Sequence, residues 1–297
     1  MLQRSHASEQ VIAKLPTIGV FDSGFGGLTV LRALLPLVPG ARYLYLGDTA
    51  RLPYGAKSQQ TIARYAVSSA AFLLTQGAEL LVVACNTASA LALEELRAAL
   101  PIPVVGVINP GAKAASLLQI TSTSADIVAS GSVATDFASP ARVLVLATTA
   151  TVQSGAYTRA CSAYGLSVYE KACPLLVPLV EEGWTDHPVT AEVLRIYLSE
   201  ALAAAPSATT LILGCTHYPL LRSLIERTLD DLGHPMHLVD SALATALAAA
   251  AILPANATGI KPSCTFYATD SIEKFQHLGS SFLGQPLPKV ELIDLGG

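Results

Sequence analysis

The chain has 297 residues, of which 52% are hydrophobic and only 13% are charged, and its formal net charge is −4. This length is sufficient for two domains, and such an apolar composition is typical of a globular protein whose sheets are covered on both faces. Because the charge is slightly negative and the basic residues are scattered, we expect no binding to nucleic acid or to an anionic membrane surface.

The sequence contains no apolar segment of the ~20 residues that are needed to cross a bilayer. The alanine-rich run at residues 242–253 is shorter and predicts a packed helix. Residues 1–16 lack the continuous apolar core and the cleavage site of an export signal. We therefore expect a cytoplasmic protein.

Short apolar runs alternate with amphipathic segments along the chain, which predicts βαβ units and parallel sheets. The predicted strands lie at residues 17–21, 43–46, 80–84, 104–107, 143–147, 211–213 and 237–239. The predicted helices lie at residues 28–37, 59–76, 88–99, 154–164, 189–204 and 220–232. Residues 119–141 are rich in serine and threonine and only weakly periodic, so we expect an irregular or mobile insertion there.

A weak internal repeat relates the two halves of the chain. In each half, one apolar strand ends in a loop rich in glycine or hydroxyl groups, and a later strand ends in a cysteine. We predict an α/β fold of two pseudo-symmetric domains, each a mostly parallel sheet flanked by helices, with the active site in the cleft between them. The first domain is expected to comprise residues 1–110 and 219–297, and the second residues 111–218.

The loop after the first strand is a candidate binding site, because ligands of open parallel sheets bind beyond the carboxyl ends of the strands. It begins with Asp22 and Ser23, followed by glycines whose N–H groups can approach an anion such as a carboxylate. Its spacing lacks the third glycine of a dinucleotide fingerprint, and no phosphate-loop motif is present. A tight turn capped by aspartate is the alternative interpretation.

Two later segments leave similar alternatives open. Pro53, Tyr54 and Gly55 fix a turn that offers backbone donors and a phenol to a ligand, or that serves only as a rigid connector. The pair of glutamates at positions 181 and 182 precedes Trp184 and is also consistent with a solvated helix end.

Cys85 and Cys215 each end an apolar run and precede a predicted helix. A single cysteine in this place is usually a small buried hydrophobe, but a matched pair indicates function. A helix N-terminus favours the thiolate and lowers the thiol pKa from ~8.5. His217 follows Cys215 closely enough to orient or help deprotonate it. The remaining cysteines, which we expect to be packing residues, are Cys161, Cys173 and Cys264.

The five cysteines are odd in number and widely spaced, which argues against a framework of disulfide bonds. There is no Cys-x-x-Cys pair, so we predict no metal site. A pyridoxal phosphate enzyme is also disfavoured, since no lysine stands in a typical Schiff-base context and the paired thiols would have no role.

Six segments of the sequence, taken in order, are distinctive. They read IGVFDSGFGGLTVLR, YLGDTARLPYGAKS, ACNTASA, ACPLLVPLVEEG, LILGCTHYPLL and LVDSA. Together they resemble the aspartate/glutamate racemase family. The resemblance implies a cofactor-independent enzyme, often a homodimer, that interconverts L- and D-glutamate and supplies D-glutamate for peptidoglycan.

The resemblance also implies residue roles. The implied catalytic residues are Cys85, Cys215, Asp22, His217 and Glu181, with Glu182 as the alternative glutamate. Cys85 would remove the proton from D-glutamate while Cys215 donates one, and the roles would exchange for L-glutamate. Asp22 and His217 would assist these two thiols, respectively. The implied substrate-binding residues are Asp22, Ser23, Tyr54, Gly55, Asn86, Thr87, Thr216 and His217.

Three segments depart from the family pattern. Asn109 stands where many relatives carry a glutamate, residues 146–151 read LATTAT in place of a glycine-containing segment, and residues 119–141 form a longer stretch than expected. Two other functions stay open at this point: racemisation of aspartate or another amino acid, and amino-acid binding without catalysis.

Overall fold

The computed structural model describes residues 15–130, 142–253 and 261–296. Within these ranges the strands are β1 (Thr17–Asp22), β2 (Arg42–Gly47), β3 (Leu80–Val83), β4 (Val104–Gly106), β5 (Arg142–Ala147), β6 (Ser167–Ala172), β7 (Thr210–Gly214), β8 (His237–Asp240), β9 (Ser263–Ala268) and β10 (Val290–Leu292). The helices are α1 (Leu28–Leu34), α2 (Gln59–Thr75), α3 (Asn86–Leu91), α4 (Leu93–Ala99), α5 (Ile108–Ser130), α6 (Thr149–Ser154), α7 (Ala156–Ser162), α8 (Leu176–Glu181), α9 (Pro188–Ala204), α10 (Arg222–Asp231), α11 (Ser241–Ala250) and α12 (Ile272–Leu283).

The described strands form two sheets. The first has the order β10-β9-β2-β1-β3-β4 and the second the order β6-β5-β7-β8, and their pairings are all parallel. The central strands β1, β3 and β7 are buried along their whole length, because helices cover both faces of each sheet. This confirms the predicted α/β fold with parallel sheets flanked by helices.

The internal repeat corresponds to matched strand neighbours. β1, which carries the glycine loop, pairs with β3, which leads to Cys85. β5, which leads to the LATTAT segment, pairs with β7, which leads to Cys215. Each sheet therefore brings one hydroxyl-rich or glycine-rich loop beside one cysteine at its carboxyl edge.

The C-terminal part of the chain contributes to both sheets. β9 and β10 extend the first sheet, whereas β8 pairs with β7 of the second. β8 lies inside the segment 219–297, which was assigned to the first domain from the sequence. The boundaries of the two domains stay a prediction.

Several predicted elements differ in detail from the structure. The helix expected at residues 88–99 is two helices, α3 and α4, and the strands β6, β9 and β10 were not predicted. The prediction of an irregular segment at residues 119–141 was wrong for residues 119–130, which continue α5. Residues 131–141 lie outside the described part of the chain. None of the helices described is long and apolar enough to span a membrane.

Candidate active site

A cavity of about 360 Å³ lies between the carboxyl edges of the two sheets. It is within the usual size range of small-molecule sites. Two larger surface pockets, of about 480 Å³ beside Arg227 and about 520 Å³ beside His277, have no cysteine in their lining. The predicted residues that line the cavity are Ser23, Tyr54, Gly55, Cys85, Asn86, Thr87, Glu181, Glu182, Cys215, Thr216 and His217.

Cys85 lies at the start of α3 and acts as its N-cap. Its Sγ accepts a hydrogen bond from the N–H of Ala88 at 3.4 Å and donates one to Ser23 Oγ at 3.5 Å. Burial, reinforced by the negative charge of Asp22, raises the pKa of Cys85 to about 12, against the opposing effect of these hydrogen bonds. The expected lowering of this thiol pKa is therefore wrong, and Cys85 is a neutral thiol at pH 7.

Asp22 is buried beneath the cavity rather than in its lining. Its Oδ2 accepts from the N–H of Gly24 at 2.9 Å, whereas its Oδ1 has no hydrogen-bond partner. Burial raises the pKa of Asp22, although the positive charge of His217 and the Gly24 N–H lower it. A carboxyl group with a raised pKa and a free oxygen is suited to accept a proton.

The glycines after Asp22 allow close packing between the two halves of the site. A Cβ on Gly26 would lie 2.2 Å from Thr216 Oγ1 and 2.6 Å from His217 Nδ1. A Cβ on Gly27 would lie 2.6 Å from the Asp22 Cβ. The loop therefore needs glycine for steric reasons, and the N–H of Gly24 is already bonded to Asp22.

Cys215 follows β7 and precedes a short 3-10 turn at Tyr218–Leu221, and α10 begins only after that turn. Its position therefore differs from that of Cys85, which directly caps an α-helix. Cys215 Sγ lies 3.9 Å from His217 Nδ1, within the limit for a hydrogen bond to sulfur. This second thiol therefore has an imidazole as a neighbour, whereas Cys85 lies near the carboxyl group of Asp22.

Glu181 completes this side of the site, because its Oε1 lies 3.3 Å from His217 Nε2. Burial lowers the pKa of His217, but its hydrogen bonds to Cys215 and Glu181, and their negative charges, outweigh burial and raise that pKa to about 10. Burial likewise raises the pKa of Glu181, and the contact with His217 more than offsets it. His217 and Glu181 therefore form an ion pair at pH 7, and Glu182 lines the cavity beside them.

Tyr54 is buried, and its hydroxyl donates to Asp48 Oδ2 at 2.5 Å. Burial, with the nearby charge of Asp48, raises the pKa of Tyr54 far above its ordinary value. The phenol is thus engaged within the protein, while Gly55 lies at the cavity opposite Thr148. The bond to Asp48 favours the interpretation of the turn at residues 53–55 as a rigid connector, and Tyr54 and Gly55 also line the cavity.

Asn86 and Thr87 connect the two sheets directly. Asn86 Nδ2 donates to the hydroxyl of Tyr157 on α7 at 2.9 Å, and its buried Oδ1 has no partner. Thr87 Oγ1 lies 3.0 Å from Thr148 Oγ1 and 3.4 Å from Thr151 Oγ1. The site is therefore held between the sheets by hydrogen bonds that cross from one half to the other.

Two polar lining residues, Thr148 and Lys274, were not among the predicted ones. Thr148 belongs to the LATTAT segment, and its position directly after β5 marks it as a binding candidate by the strand-end rule. Lys274 lies on α12, far along the chain, and no local pattern marks it. Asn109 lines a different hollow, with Arg97 and Arg159.

Comparison with known proteins places these features in a family. The family model for Asp/Glu/Hydantoin racemase matches residues 18–249. The glutamate racemase of Koribacter versatilis is 46% identical over 308 aligned residues, which cover 95% of this chain and 98% of that protein.

Two solved structures are similar over nearly the whole chain. The glutamate racemase of Thermus thermophilus, in complex with β-chloro-D-alanine, has a TM-score of 0.78 and 41% identity, covering 95% of this chain and 98% of that one. The glutamate racemase of Francisella tularensis, in complex with D-glutamate, has a TM-score of 0.80 and 33% identity, covering 94% of this chain and 98% of that one.

Proposed function

The chain belongs to the Asp/Glu/Hydantoin racemase family, and on that premise we propose that it interconverts L- and D-glutamate by cofactor-independent proton exchange at Cα. The observation that carries the proposal is that Cys85 and Cys215 enter one cavity from strands of different sheets. Inversion of a carbon by proton exchange needs a base on one face and an acid on the other. Two thiols delivered from opposite halves meet this requirement.

The state of Cys85 suggests its role in one direction of the reaction. Cys85 is a neutral thiol and is therefore suited to donate a proton, whereas Cys215 Sγ lies 3.9 Å from His217 Nδ1 in the other half of the site. With L-glutamate, the Cys215 thiolate takes the α-proton, the C–H electron pair stays on the substrate, and the Cys85 thiol donates its proton to the opposite face. The products are D-glutamate, a Cys215 thiol and a Cys85 thiolate.

The neighbouring acids and bases return the thiols to their starting state. The charge of Asp22 acts on Cys85, and the raised pKa of Asp22 suits it to exchange a proton with the Cys85 side of the site. His217 does the same for Cys215. For D-glutamate, the two thiols act in the opposite order.

Hydrogen-bond donors around the cavity stabilise the charge that develops on the substrate carboxylate. We assign this role to residues with hydroxyl or amide groups in the lining, since donors held in place are the main means of stabilising such charge. They are Ser23, Asn86, Thr87, Thr148 and Thr216. The D-glutamate formed would supply peptidoglycan synthesis.

The test is exchange of the α-proton in D₂O. We expect both enantiomers of glutamate to lose their α-proton signal in NMR and to racemise in polarimetry, with aspartate much slower. Rapid turnover of aspartate without glutamate would reassign the substrate. Absence of deuterium at Cα in both glutamate enantiomers would refute racemase chemistry and favour a binding protein.

We further infer a cytoplasmic homodimer. All five cysteines are free thiols, as the reaction requires of Cys85 and Cys215 and as a reducing compartment maintains. Leu243 and Leu247 are half exposed on α11, which packs against α5, where Leu117 is also exposed. Apolar side chains on two adjoining helices are consistent with a surface covered by a second copy. Light scattering on the purified chain at micromolar concentration measures the mass, and a monomer would contradict the dimer.

A further inference from the structure

Lys274 reaches the cavity from α12 and contacts the buried proton-handling residues. Its Nζ lies 3.4 Å from Glu181 Oε2, while the other oxygen of that carboxylate lies 3.3 Å from His217 Nε2. Among the described residues that line the cavity, Lys274 is the only lysine or arginine. A single carboxylate thus bridges an ammonium group at the cavity rim and an imidazole in the interior.

Aromatic rings form a wall along this chain of charges. Lys274 Nζ lies 5.6 Å from the centre of the Phe25 ring, and Phe25 packs against Phe282 at 6.3 Å. The rings of Phe282 and His217 form an edge-to-face pair with centroids 4.9 Å apart. Because the buried Phe25 and Phe282 rings have no group that could bond a carboxylate, the position of the Glu181 carboxylate depends on the two cations that it bridges.

We propose that Lys274 is a positioning residue for racemisation: its ammonium group holds the Glu181 carboxylate against His217, and so orients the imidazole that serves Cys215. The inference rests on the proposed function, because it assigns His217 to the second thiol. Lys274 does not contact either cysteine in this arrangement. Its effect on the reaction passes through Glu181.

The charges around Glu181 and His217 support an effect of Lys274 that passes through Glu181. Burial of Glu181 favours its neutral form, and the charges of His217 and Lys274 oppose that effect. Loss of Lys274 would release the Oε2 side of the carboxylate, so that nothing on that side holds Glu181 in its orientation against His217. The titratable and charged groups that face this network are Asp22 from the end of β1, Cys215 after β7, Glu181 from the end of α8 with Glu182 directly after it, and Lys274 and His277 from α12.

The first experiment compares substitutions of Lys274 in the full chain. We expect Lys274→Met and Lys274→Gln to lower kcat/KM for L-glutamate by about fivefold, the size expected of one partly exposed ion pair. Lys274→Arg keeps the cation and should restore most of the activity. The matched control is Lys289→Met, an exposed lysine beside β10, which should behave as wild type. Equal melting temperatures show that the variants are folded, and unchanged kcat/KM in both neutral variants would overturn the proposal.

The second experiment tests whether the effect passes through Glu181. In a Glu181→Gln background, Lys274→Met should cause no further loss, since the bridging charge is already absent. A further fivefold loss in that background would show that Lys274 acts on substrate directly and would overturn the positioning role.

A readout without turnover separates this proposal from the proposed function. NMR titration of ¹³C-labelled histidine, assigned with His217→Gln, should show a lower His217 pKa in Lys274→Met than in wild type, and a wild-type value in Lys274→Arg. If the wild type is active and the His217 pKa is the same in Lys274→Met, the positioning role of Lys274 is wrong and the proposed function stands. If the wild type is inactive, the racemase function is wrong, and the titration still tests whether Lys274 acts on His217.

Discussion

Burial and the end of a helix act in opposite directions on the Cys85 thiol. A helix N-terminus contributes ~0.3–1 kcal/mol in favour of a nearby negative charge, whereas full burial shifts the pKa of such a group by up to ~3–5 units. α3 has only six residues, and Asp22 adds a second negative charge nearby. Desolvation therefore dominates, and a rule based on helix position alone predicts the wrong sign for Cys85.

Substitution of either thiol tests their paired role. We expect Cys85→Ser and Cys215→Ser each to lower racemisation by ~10²- to 10⁴-fold, because an alcohol is a far weaker acid than a thiol and does not ionise near neutral pH to serve as the base. Polarimetry with both enantiomers measures the loss. Cys264→Ser, on β9 and absent from the cavity lining, is the control and should retain activity. An equally large loss in the control, or full activity in either site variant, would contradict the assignment.

The ion pair of His217 predicts a dependence of stability on pH. Its folded pKa of about 10 lies above the ordinary value of 6.5, so its stabilising contribution is complete below pH 6.5 and is lost as the pH rises through 10. His217→Gln should cost ~1–3 kcal/mol of unfolding free energy at pH 6, and less at pH 10.5. Urea denaturation at both pH values measures this. His237→Gln, at an exposed position in β8, is the control; a His217 penalty that is constant with pH would contradict the raised pKa.

Local pattern predicted the residues that follow strands but not those that reach the site from elsewhere. Ser23, Cys85 and Cys215 stand directly after apolar runs, and the strand-end rule locates them without a structure. Lys274 lies in the first turn of an amphipathic helix whose position depends on β9 and β10, and no spacing in the sequence brings it near Glu181. The distinction between Glu181 and Glu182 likewise required side-chain distances.

At the level of elements, exposure explains which strands were predicted. β1 and β7 are buried and form continuous apolar runs. β6 reads SVYEKA and is only half buried, so its polar residues interrupt the apolar pattern by which a strand is predicted. β10 has three residues, too few for any periodicity. α5 was not predicted, and its part beyond residue 119 was taken as irregular structure because its periodicity is weak. Its first half packs into the core through Ala112 and Ala115, and a helix once formed extends at little cost.

The contact between the β1–α1 loop and the loop after β7 predicts that Gly26 accepts no side chain. Gly26→Ala would force a methyl group into Thr216 and His217, and we expect a loss of at least tenfold in kcat/KM, because displacements of ~1 Å at a site cost up to 10²-fold. Steady-state kinetics at matched folded concentration measure it. The control is Gly111→Ala in α5, where the new Cβ lies no closer than 3.5 Å to its neighbours. Wild-type kinetics in Gly26→Ala would show that the two loops separate freely.

At the level of the whole molecule, the site depends on how two separate sheets meet. The α/β class and the pairing of a loop with a cysteine in each sheet follow from the order of apolar runs. The sheet to which each later segment returns does not follow from that order. β8 illustrates this, because a four-residue edge strand carries too short a pattern to specify its partner, and it pairs with β7 of the second sheet. Hydrogen bonds across the cleft, from Asn86 to Tyr157 and between Thr87 and Thr148, are long-range contacts that no local pattern specifies.

The bond between Asn86 and Tyr157 provides a test of this cross-sheet arrangement. Tyr157→Phe removes the acceptor for the Asn86 amide and should cost ~1–2 kcal/mol of unfolding free energy. It should also raise KM for glutamate, because Asn86 would lose the contact that orients it in the cavity lining. Tyr43→Phe is the matched control: its ring is equally buried, and its hydroxyl donates to Leu34 and Val38 within the first half. Urea denaturation and kinetics together should show similar destabilisation in both variants but a raised KM in Tyr157→Phe alone, since of these two tyrosines Tyr157 is the one whose hydroxyl bonds a residue of the cavity lining. An unchanged KM in both variants would mean that Asn86 keeps its position without its partner on the second sheet.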